Sequence, residues 1–443
     1  MSGRQLLYRA WKRCRRDDTW KLYRNYASGL DAGIPPGTLE AQVRVLLEHA
    51  RLRVPYYSER IPQLQGRDPL DVLSAVPLLS KDSLRRDARR LTSSDISTRK
   101  WRFNTSGGST GEPVRLIQDR QYAARTAAIT LLYAHLVGRE VGQPEVLLWG
   151  SEREILQSAA DPAARLRAWV TNSETVNAFR MTESAMRDFI AGINRRPPQL
   201  LIAYAQALYE VARFVERAGL EVRSQRAIMT SAGTLHSFMR ETIERVFKCP
   251  VYNRYGSREV GNIGCQVPGS DALWIAPWGS YVEVVNPDGT AASAGVEGEI
   301  VVTCLSNFAM PLIRYRIGDR GVLLPPGSGL HGGSTQSLVR VTGRTVDAFR
   351  LRDGTLVDGE YFTHLLYFCD WVKRFQVVQD DYDHLRIAVS LRAAVPQGEE
   401  TRIISCVRAA MGDLCRVDFE YVDDIPLSPS GKRRYTISMV AGD

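Results

Sequence analysis

A loop made almost entirely of glycine and hydroxyl residues lies between two strand-like segments, Trp101–Phe103 and Val114–Ile117. Glycine lets a backbone approach an anion closely, and serine and threonine hydroxyls donate hydrogen bonds to it. The loop therefore suits a polyphosphate, although a flexible surface turn is the alternative. It is not a Walker loop, because it contains no lysine. The candidate phosphate-binding residues are Thr105, Ser106, Gly107, Gly108, Ser109, Thr110 and Gly111.

Three further segments place acidic, aromatic or basic residues close to glycines. They are Tyr252–Gly261, which follows a strand-like Cys249–Val251, then Pro311–Gly321, and Pro426–Arg434. Taken alone, each has an ordinary explanation. Glu259 could be a solvated charge, Asp319 a turn former, and Lys432 part of a basic surface loop. Their order along one chain favours a common function.

With Gly343–Arg344 between the last two, these segments resemble the signature set of adenylate-forming enzymes in order and spacing. That superfamily includes acyl-CoA synthetases, luciferases and peptide-synthetase adenylation domains. Within it, the chain is similar to phenylacetate-CoA ligases and their relatives in capsule and polysaccharide gene clusters. The segments that carry this closer resemblance are Leu46–Ala50, Val54–Tyr57 and Val76–Asp82.

The resemblance implies attack of a substrate carboxylate on the α-phosphate of ATP, which gives an acyl-adenylate and pyrophosphate. Because such a reaction needs little covalent work from the protein, positioning and charge stabilisation dominate. By resemblance, the loop from Ser106 to Gly111 holds the β- and γ-phosphates, and Glu259 ligates Mg²⁺. Lys432 is then the catalytic cation between the carboxylate and the α-phosphate. On charge alone, Arg433 or Arg434 could serve equally well.

The resemblance also assigns the rest of the nucleotide and acid sites. Asp319 accepts hydrogen bonds from the ribose, Tyr255 stacks on the adenine, and Arg344 is a catalytic residue at the ribose or phosphates. The remaining nucleotide-binding candidates are Gly233, Thr234, Gly256 and Ser257, and the candidates for the acid are Tyr204, Ala232, Val260 and Gly261. An aryl or medium-length acid is expected, with core packing as the alternative for the apolar walls.

The sequence leaves the acceptor of the acyl group open. The family's second half-reaction implies rotation of a small C-terminal domain about a hinge near Gly343–Arg344, and attack by a thiol, most often coenzyme A. Val346 and Thr234 depart from the family pattern, which has an acidic or lysine hinge residue and often an acidic residue by the adenine. Transfer to a carrier-protein thiol or to an amine is therefore an alternative. A degenerate nucleotide-binding protein without turnover is another.

Composition indicates a soluble, multidomain chain of 443 residues with a net charge of +9. Seven scattered cysteines predict a reducing, cytoplasmic location and no zinc site, and Cys265 and Cys304 are expected to hold no structural metal. No signal peptide or membrane span is expected. The basic N-terminal region could touch a membrane surface, but a helix packed on the main domain is favoured. Nucleic acid is disfavoured, and a monomer or homodimer is expected.

Alternating helix and strand patterns predict an α/β fold with a mixed or parallel sheet flanked by helices. We expect an N-terminal domain over residues 1–343, with a helical opening (1–98), a sheet core (100–275) and a β-subdomain (276–343). A small mobile α+β domain over residues 344–443 should carry Lys432. Its strands are predicted at Phe375–Val378, Leu385–Leu391 and Val417–Val422, with a helix at Glu399–Met411.

Overall fold

The computed structural model describes residues 2–105, 114–149, 161–178, 182–231, 233–325, 335–344, 349–353, 356–357, 359–367, 369–426 and 434–440. The chain forms two compact units. The larger ends at Val341 and the smaller begins at Thr342, with Gly318–Arg320 grouped with the smaller one. Among the described helices, none combines the length and apolar character needed to cross a bilayer.

Six helices open the larger unit. They are α1 (Gly3–Cys14), α2 (Thr19–Asp31), α3 (Thr38–Arg53), α4 (Pro69–Ser74), α5 (Lys81–Arg86) and α6 (Ala88–Leu91), followed by a 3₁₀ turn at Ile96–Thr98. Side-chain caps set several of the amino ends. Ser2, Asp68 and Ser80 each accept a backbone N–H from the first turn of the helix that follows. Such caps satisfy donors that a helix leaves open and so define where it begins.

Strands and helices then alternate, as the sequence predicts. The strands are β1 (Trp101–Thr105), β2 (Arg115–Asp119), β3 (Glu145–Leu148), β4 (Ser173–Val176), β5 (Leu200–Tyr204), β6 (Ile228–Ser231) and β7 (Val251–Ser257). The helices are α7 (Arg120–Leu136), α8 (Pro162–Thr171), α9 (Glu183–Arg195), α10 (Ala205–Ala218) and α11 (Ser237–Phe247). Further strands are β8 (Gly261–Gln266), β9 (Leu273–Ile275), β10 (Ser280–Val285), β11 (Glu297–Cys304), β12 (Tyr315–Leu323) and β13 (Gln336–Arg344).

All of these strands except β1 and β2 join one 11-stranded sheet, in the order β10-β11-β12-β13-β9-β8-β7-β6-β5-β3-β4. Strands β4, β3, β5, β6 and β7 are parallel, whereas β7 and β8 are antiparallel. Strand β7 is therefore where the sheet changes direction. Ligands of open α/β sheets bind outside the carboxyl ends of parallel strands, so the end of β7 is a natural place for a site.

Two apolar clusters hold the larger unit together. One packs α3 to α6 against the antiparallel part of the sheet and includes the fully buried Leu46, Leu47 and Tyr57. The other packs α2 and α7, with Tyr133, against both the parallel strands β5 and β6 and Trp274 of the antiparallel strand β9. Every residue of β5 from Leu200 to Ala203 is buried, which is typical of a parallel strand covered on both faces.

The smaller unit contains β14 (Phe349–Arg350), β15 (Leu356–Val357), α12 (Gly359–Tyr367), β16 (Val372–Asp381), β17 (His384–Leu391), α13 (Glu399–Met411), β18 (Arg416–Tyr421) and β19 (Thr436–Ser438). Its four-stranded sheet has the order β18-β17-β16-β19. The strands and helix predicted for this region are confirmed, with β16 longer at both ends than Phe375–Val378. The predicted α/β class, a large mixed sheet flanked by helices plus a small α+β unit, is confirmed as well.

One local prediction is wrong. The sequence suggested that Tyr252–Gly261 follows a strand that ends at Val251, but β7 continues to Ser257. The reason is the antiparallel pairing with β8, which places Gly264 opposite Tyr255 and Gly261 opposite Ser257. Small residues on β8 let the strands stay paired to the turn, so Glu259 lies in a hairpin turn.

Candidate active site

The glycine-rich loop from Ser106 to Pro113 lies outside the described residues, but both of its flanks are described. Strands β1 and β2 form an antiparallel pair in which Thr105 lies opposite Arg115. The loop therefore connects the ends of a two-stranded hairpin. The hairpin fixes where the loop starts and where it ends.

Side-chain amides tie this hairpin to the turn that carries Glu259. Asn104 Nδ2 and Gln118 Nε2 both donate to the carbonyl oxygen of Arg258, at 3.3 and 3.0 Å. Asn104 Nδ2 also lies 3.0 Å from Gln118 Oε1. Because Gln118 is only 2% exposed, its amide is committed to these bonds. The base of the loop is therefore held one residue from Glu259.

The turn itself is built by small and hydroxyl residues. Ser257 Oγ accepts the backbone N–H groups of Glu259 (3.2 Å) and Val260 (3.4 Å). Gly261 has φ +82°, a conformation that favours glycine. At Gly256, a Cβ would lie 2.5 Å from the carbonyl oxygen of Gly261, so only glycine fits. These contacts give Ser257, Gly256 and Gly261 structural roles; their ligand-binding roles stay predictions.

Glu259 fits the requirement for a hard-cation ligand. Its carboxylate is half-buried, and it forms no ion pair within the part of the chain that the structure describes. Carboxylate oxygen is the ligand that Mg²⁺ prefers. Tyr122 lies nearby, and burial, with smaller contributions that include the Glu259 charge, raises the pKa of its hydroxyl. The assignment of Glu259 as the metal ligand stays a prediction.

Other nucleotide-site candidates lie at the same edge of the sheet. Strands β6 and β7 are parallel neighbours, with Thr230 opposite Asn253. Gly233 and Thr234 follow β6 and are exposed, and Tyr255 lies near the end of β7. Carboxyl ends of neighbouring parallel strands share one edge, so these three residues share the edge at which Glu259 lies.

Asp319 and Val260 are more buried than a turn residue or a pocket wall usually is. Asp319 lies within β12 and is 8% exposed, so it is a strand residue and not a turn former. Val260 is 2% exposed and belongs to the apolar cluster that contains α3 to α6. The predicted ribose contact of Asp319 and the predicted acid contact of Val260 stay predictions.

Tyr204 has an aromatic partner that the sequence did not single out. Its ring centroid lies 4.1 Å from that of Trp149, with a 38° angle between the planes. Trp149 follows β3, and Tyr204 ends β5, the strand paired with β3. The two rings make an aromatic wall at the carboxyl ends of these strands. This wall is the surface expected of a site that binds an apolar or aryl group.

Arg254 is a second residue that the sequence analysis missed. Its guanidinium carbon lies 5.8 Å from the centre of the Trp149 ring. The register of β5, β6 and β7 continues from Ala203–Thr230–Asn253, which places Tyr204, Ser231 and Arg254 in a row on one face of the sheet. The signal was present, because Arg254 lies inside the Tyr252–Gly261 segment. Only the register shows that it faces the aromatic pair.

The charge of Arg254 is poorly compensated. Its Nε is buried without a hydrogen-bond partner, and it makes no ion pair among the residues that the structure describes. Glu145, the carboxylate that contributes to its electrostatics, is paired with Arg139 at 3.1 Å. Burial lowers the pKa of the Arg254 guanidinium. An unpaired, desolvated cation is costly, so its presence beside the aromatic wall favours a role in recognition.

Besides the glycine-rich loop, four predicted site residues lie partly or wholly outside the described residues. Ala232 and Lys432 are outside the described residues, and of Thr105 and Arg344 only the backbone is described, within β1 and at the end of β13. The chain is described again just after Lys432. There, Gln376 Nε2 donates to the carbonyl of Arg434 (2.8 Å), and the Val377 N–H donates to that of Tyr435 (2.7 Å). These bonds to β16 fix the carboxyl side of the segment that carries Lys432.

The chain is similar to known proteins in sequence. Residues 350–439 match the family model of the CapK C-terminal domain. The chain is 23% identical to Protein CapK of Staphylococcus aureus over 399 residues, which covers 87% of this chain and 85% of that protein. It is 28% identical to the phenylacetate-coenzyme A ligase of Escherichia coli (strain K12) over 153 residues, 33% of this chain and 34% of the ligase.

Among solved structures, a 2-hydroxyisobutyryl-CoA ligase in the postadenylation state, in complex with 2-HIB-AMP, is similar with a TM-score of 0.69. The sequences are 16% identical, and the match covers 92% of this chain and 90% of that chain. The fold is therefore that of the adenylate-forming ligases, and the predicted resemblance to that superfamily is confirmed. Within it, the resemblance to phenylacetate-CoA ligases and capsule-related relatives such as CapK is confirmed too.

Proposed function

We propose that this protein is an AMP-forming ligase that activates a carboxylic acid with ATP and transfers the acyl group to an acceptor. One carboxylate oxygen of the acid attacks the α-phosphorus of ATP, the bond to the bridging oxygen breaks, and pyrophosphate leaves. The observation that supports this most directly is the pair of amide bonds from Asn104 and Gln118 to the Arg258 carbonyl. They bring the base of the glycine-rich loop and the Glu259 turn into one site.

Each candidate residue would have its own role in binding the nucleotide. Backbone and hydroxyl donors of the loop from Ser106 to Gly111 would bind the β- and γ-phosphates. Glu259 would hold Mg²⁺, which would supply positive charge at the phosphates. Tyr255 would stack on the adenine, and Asp319 would accept hydrogen bonds from the ribose. These side chains orient the reactants, which is the main contribution a protein makes to this reaction.

Two cations would complete the nucleotide site. Lys432 would place its ammonium between the acid carboxylate and the α-phosphate, where it would offset the charge that develops during attack. Arg344 would reach the ribose or the phosphates with its planar guanidinium. Sequence position supports Arg344, and the shared edge of β6 and β7 supports Gly233 and Thr234.

The acid would lie against the aromatic wall. Tyr204 and Trp149 support an aryl or other flat apolar group, because their tilted rings lie together, with centroids 4.1 Å apart, and form one aromatic surface. Ala232, Val260 and Gly261 are the further candidates for this pocket. Arg254 beside the wall supports an acid that also carries an acceptor group, such as a hydroxyl or a second carboxylate, because a desolvated guanidinium has donors to offer.

Coenzyme A is the proposed acceptor, through attack of its thiol on the acyl carbon with release of AMP. The E. coli relative's name is that of a coenzyme A ligase, which supports this choice. Transfer to a carrier-protein thiol or to an amine is the second candidate. It is supported by Val346 and Thr234, the two positions at which the sequence departs from the pattern of the coenzyme A ligases.

The test is carboxylate-dependent ATP–pyrophosphate exchange across a panel of aryl, hydroxyaryl and aliphatic acids, with Lys432→Ala as the control. Exchange with particular acids that is lost in the control is expected. Product analysis with coenzyme A present and absent then separates the thiol from other acceptors. ATP binding without exchange for any acid would contradict the proposal and favour a nucleotide-binding protein without turnover.

A further inference from the structure

Helix α1 carries an apolar stripe on its solvent side. Residues spaced three and four apart share one helix face, which groups Leu6, Leu7, Ala10 and Cys14 with Gly3. Leu6 is 53% exposed and Leu7 46%, and the other members are exposed as well. Single exposed leucines are ordinary, but a continuous stripe along a helix needs a reason.

The helix is attached to the protein through its other face. Tyr8 is 4% exposed, and its ring lies 5.9 Å from that of Trp20. Lys12 on the same side forms an ion pair with Asp17 at 2.7 Å. Because these contacts already anchor the helix, the stripe of leucines is not needed to attach it.

Helix α8 lies beside α1 and exposes apolar side chains of its own. On α8, Leu166 is 47% exposed and Trp169 is 58% exposed. The Arg4 guanidinium lies 5.5 Å from the centre of the Trp169 ring and donates to the Trp169 carbonyl, so α1 and α8 are joined side by side. We call the set Leu6, Leu7, Leu166 and Trp169 the apolar patch.

The patch is bordered by positive charge. Arg9 and Arg13 on α1 and Arg165 and Arg167 on α8 are exposed, and neither helix contains an acidic residue. Asp161 caps α8 by accepting the N–H of Ala163 at 2.9 Å, and the carboxylates that contact α1, Glu140 and Asp17, bond to Gln5 and Lys12 on its anchored face. Leucine and tryptophan surrounded by arginine are the composition of surfaces that lie in the headgroup region of a membrane.

We propose that the apolar patch and its arginine border dock this protein on the surface of an anionic lipid bilayer. The leucines and Trp169 would enter the boundary between headgroups and acyl chains, and the arginines would contact lipid phosphates. The net charge of +9 favours the same partner. Docking of this kind leaves the chain peripheral and adds a location to the proposed activity without depending on it.

The experiment is co-sedimentation of the full chain with vesicles. One set is phosphatidylcholine alone, and the other is equal parts phosphatidylcholine and phosphatidylglycerol. We expect sedimentation with the anionic set only, weakened by salt. The double variant L6E/L7E should lose it by at least about tenfold, and R9Q/R13Q should reduce it. Leu414→Glu, which changes a residue that is 92% exposed in the smaller unit, is the matched control and should bind normally.

Two results would overturn the proposal: no sedimentation with anionic vesicles, or sedimentation of L6E/L7E equal to that of the parent chain. Loss of a dimer in L6E/L7E without vesicle binding would assign the patch to self-association and would also contradict the proposal. Thermal unfolding and ATP–pyrophosphate exchange should be unchanged in L6E/L7E. Since those readouts belong to the enzyme, failure of docking and failure of the proposed activity are distinguishable.

Discussion

Two parts of the same sheet edge differ in how their polar groups are satisfied. At the β7–β8 turn, the buried amide of Gln118 bonds to the Arg258 carbonyl, and Ser257 Oγ accepts two backbone N–H groups. One residue before Tyr255, on the opposite face of β7, Arg254 has a buried Nε with no partner. A glycine-rich turn held by hydrogen bonds is suited to the reaction step that all substrates share. An uncompensated cation beside an aromatic pair is suited to recognition of a particular substrate.

The largest expected effect on exchange comes from a substitution at Glu259, the proposed metal ligand in the β7–β8 turn. Glu259→Gln keeps the shape of the side chain and removes its charge, so acid-dependent exchange should fall by about 100-fold or more. The melting temperature should change little, because Glu259 makes no ion pair within the described part of the chain. Exchange at the parental rate would remove Glu259 from the proposed site.

The next largest effect comes from a substitution that removes contacts of the turn and leaves the proposed reacting groups unchanged. Gln118→Leu removes two amide bonds at a buried position, and unfolding should become easier by about 1–3 kcal/mol. Exchange should fall by about tenfold, because the loop base would no longer be fixed beside Glu259. Urea unfolding and exchange rates measure the two effects.

A matched control separates these effects. Gln225 is also buried, at 4% exposure, and donates to the Arg223 carbonyl at 2.7 Å. Gln225→Leu removes one amide bond together with a buried Oε1 that has no partner, so it should destabilise the fold by less than Gln118→Leu and leave exchange unchanged. If both variants lost exchange equally, the Gln118 contacts would matter only for folding.

For Arg254, whose Nε is buried without a hydrogen-bond partner, we predict the opposite pattern of effects on stability and on exchange. Arg254→Met removes a charge that is partly desolvated and unpaired, so stability should be unchanged or higher by about 1 kcal/mol. Exchange should persist with simple aryl acids and weaken with acids that carry an additional hydroxyl or carboxylate. The ratio of the two rates is the readout. A loss of more than about 2 kcal/mol with an unchanged acid profile would make Arg254 a structural residue.

The smallest effect concerns how stability depends on pH through two buried cysteines of the larger unit. Burial raises the pKa of Cys265 and of Cys249 to about 12. The unfolded thiols release their protons near pH 9, whereas the folded ones keep theirs, so stability should fall as pH rises from about 9 to 12. Each thiol contributes at most about 1.4 kcal/mol per pH unit. Cys265→Ala should make this alkaline loss shallower in pH-dependent thermal unfolding.

Residue types and contacts between distant residues differ in how far a sequence reveals them. Residue types made the glycine-rich loop and Glu259 candidates, because phosphate and magnesium sites use those types, and both assignments stay predictions. Residue types sufficed for the α/β class, because helix and strand periods alternate from residue 100 onward. The end of β7 was missed, because it depends on pairing with glycines of β8, which no local pattern reveals.

The residues proposed to recognise the acid were harder to predict, for a related reason. Trp149 and Arg254 are distant in sequence and meet only through the register of β3, β5, β6 and β7. Gln118 gave no signal either, since a glutamine in a strand has no distinctive spacing. Tertiary register decides these contacts, and a single sequence does not contain it in readable form.

The most direct test of the comparison is ATP–pyrophosphate exchange measured side by side for the parent chain, Glu259→Gln and Arg254→Met across the same acid panel. The account predicts that Glu259→Gln loses exchange with every acid, and that Arg254→Met keeps exchange but changes the preferred acid. Loss of exchange with every acid in Arg254→Met, or an unchanged profile in both variants, would contradict the division between a common reaction site and a selective one.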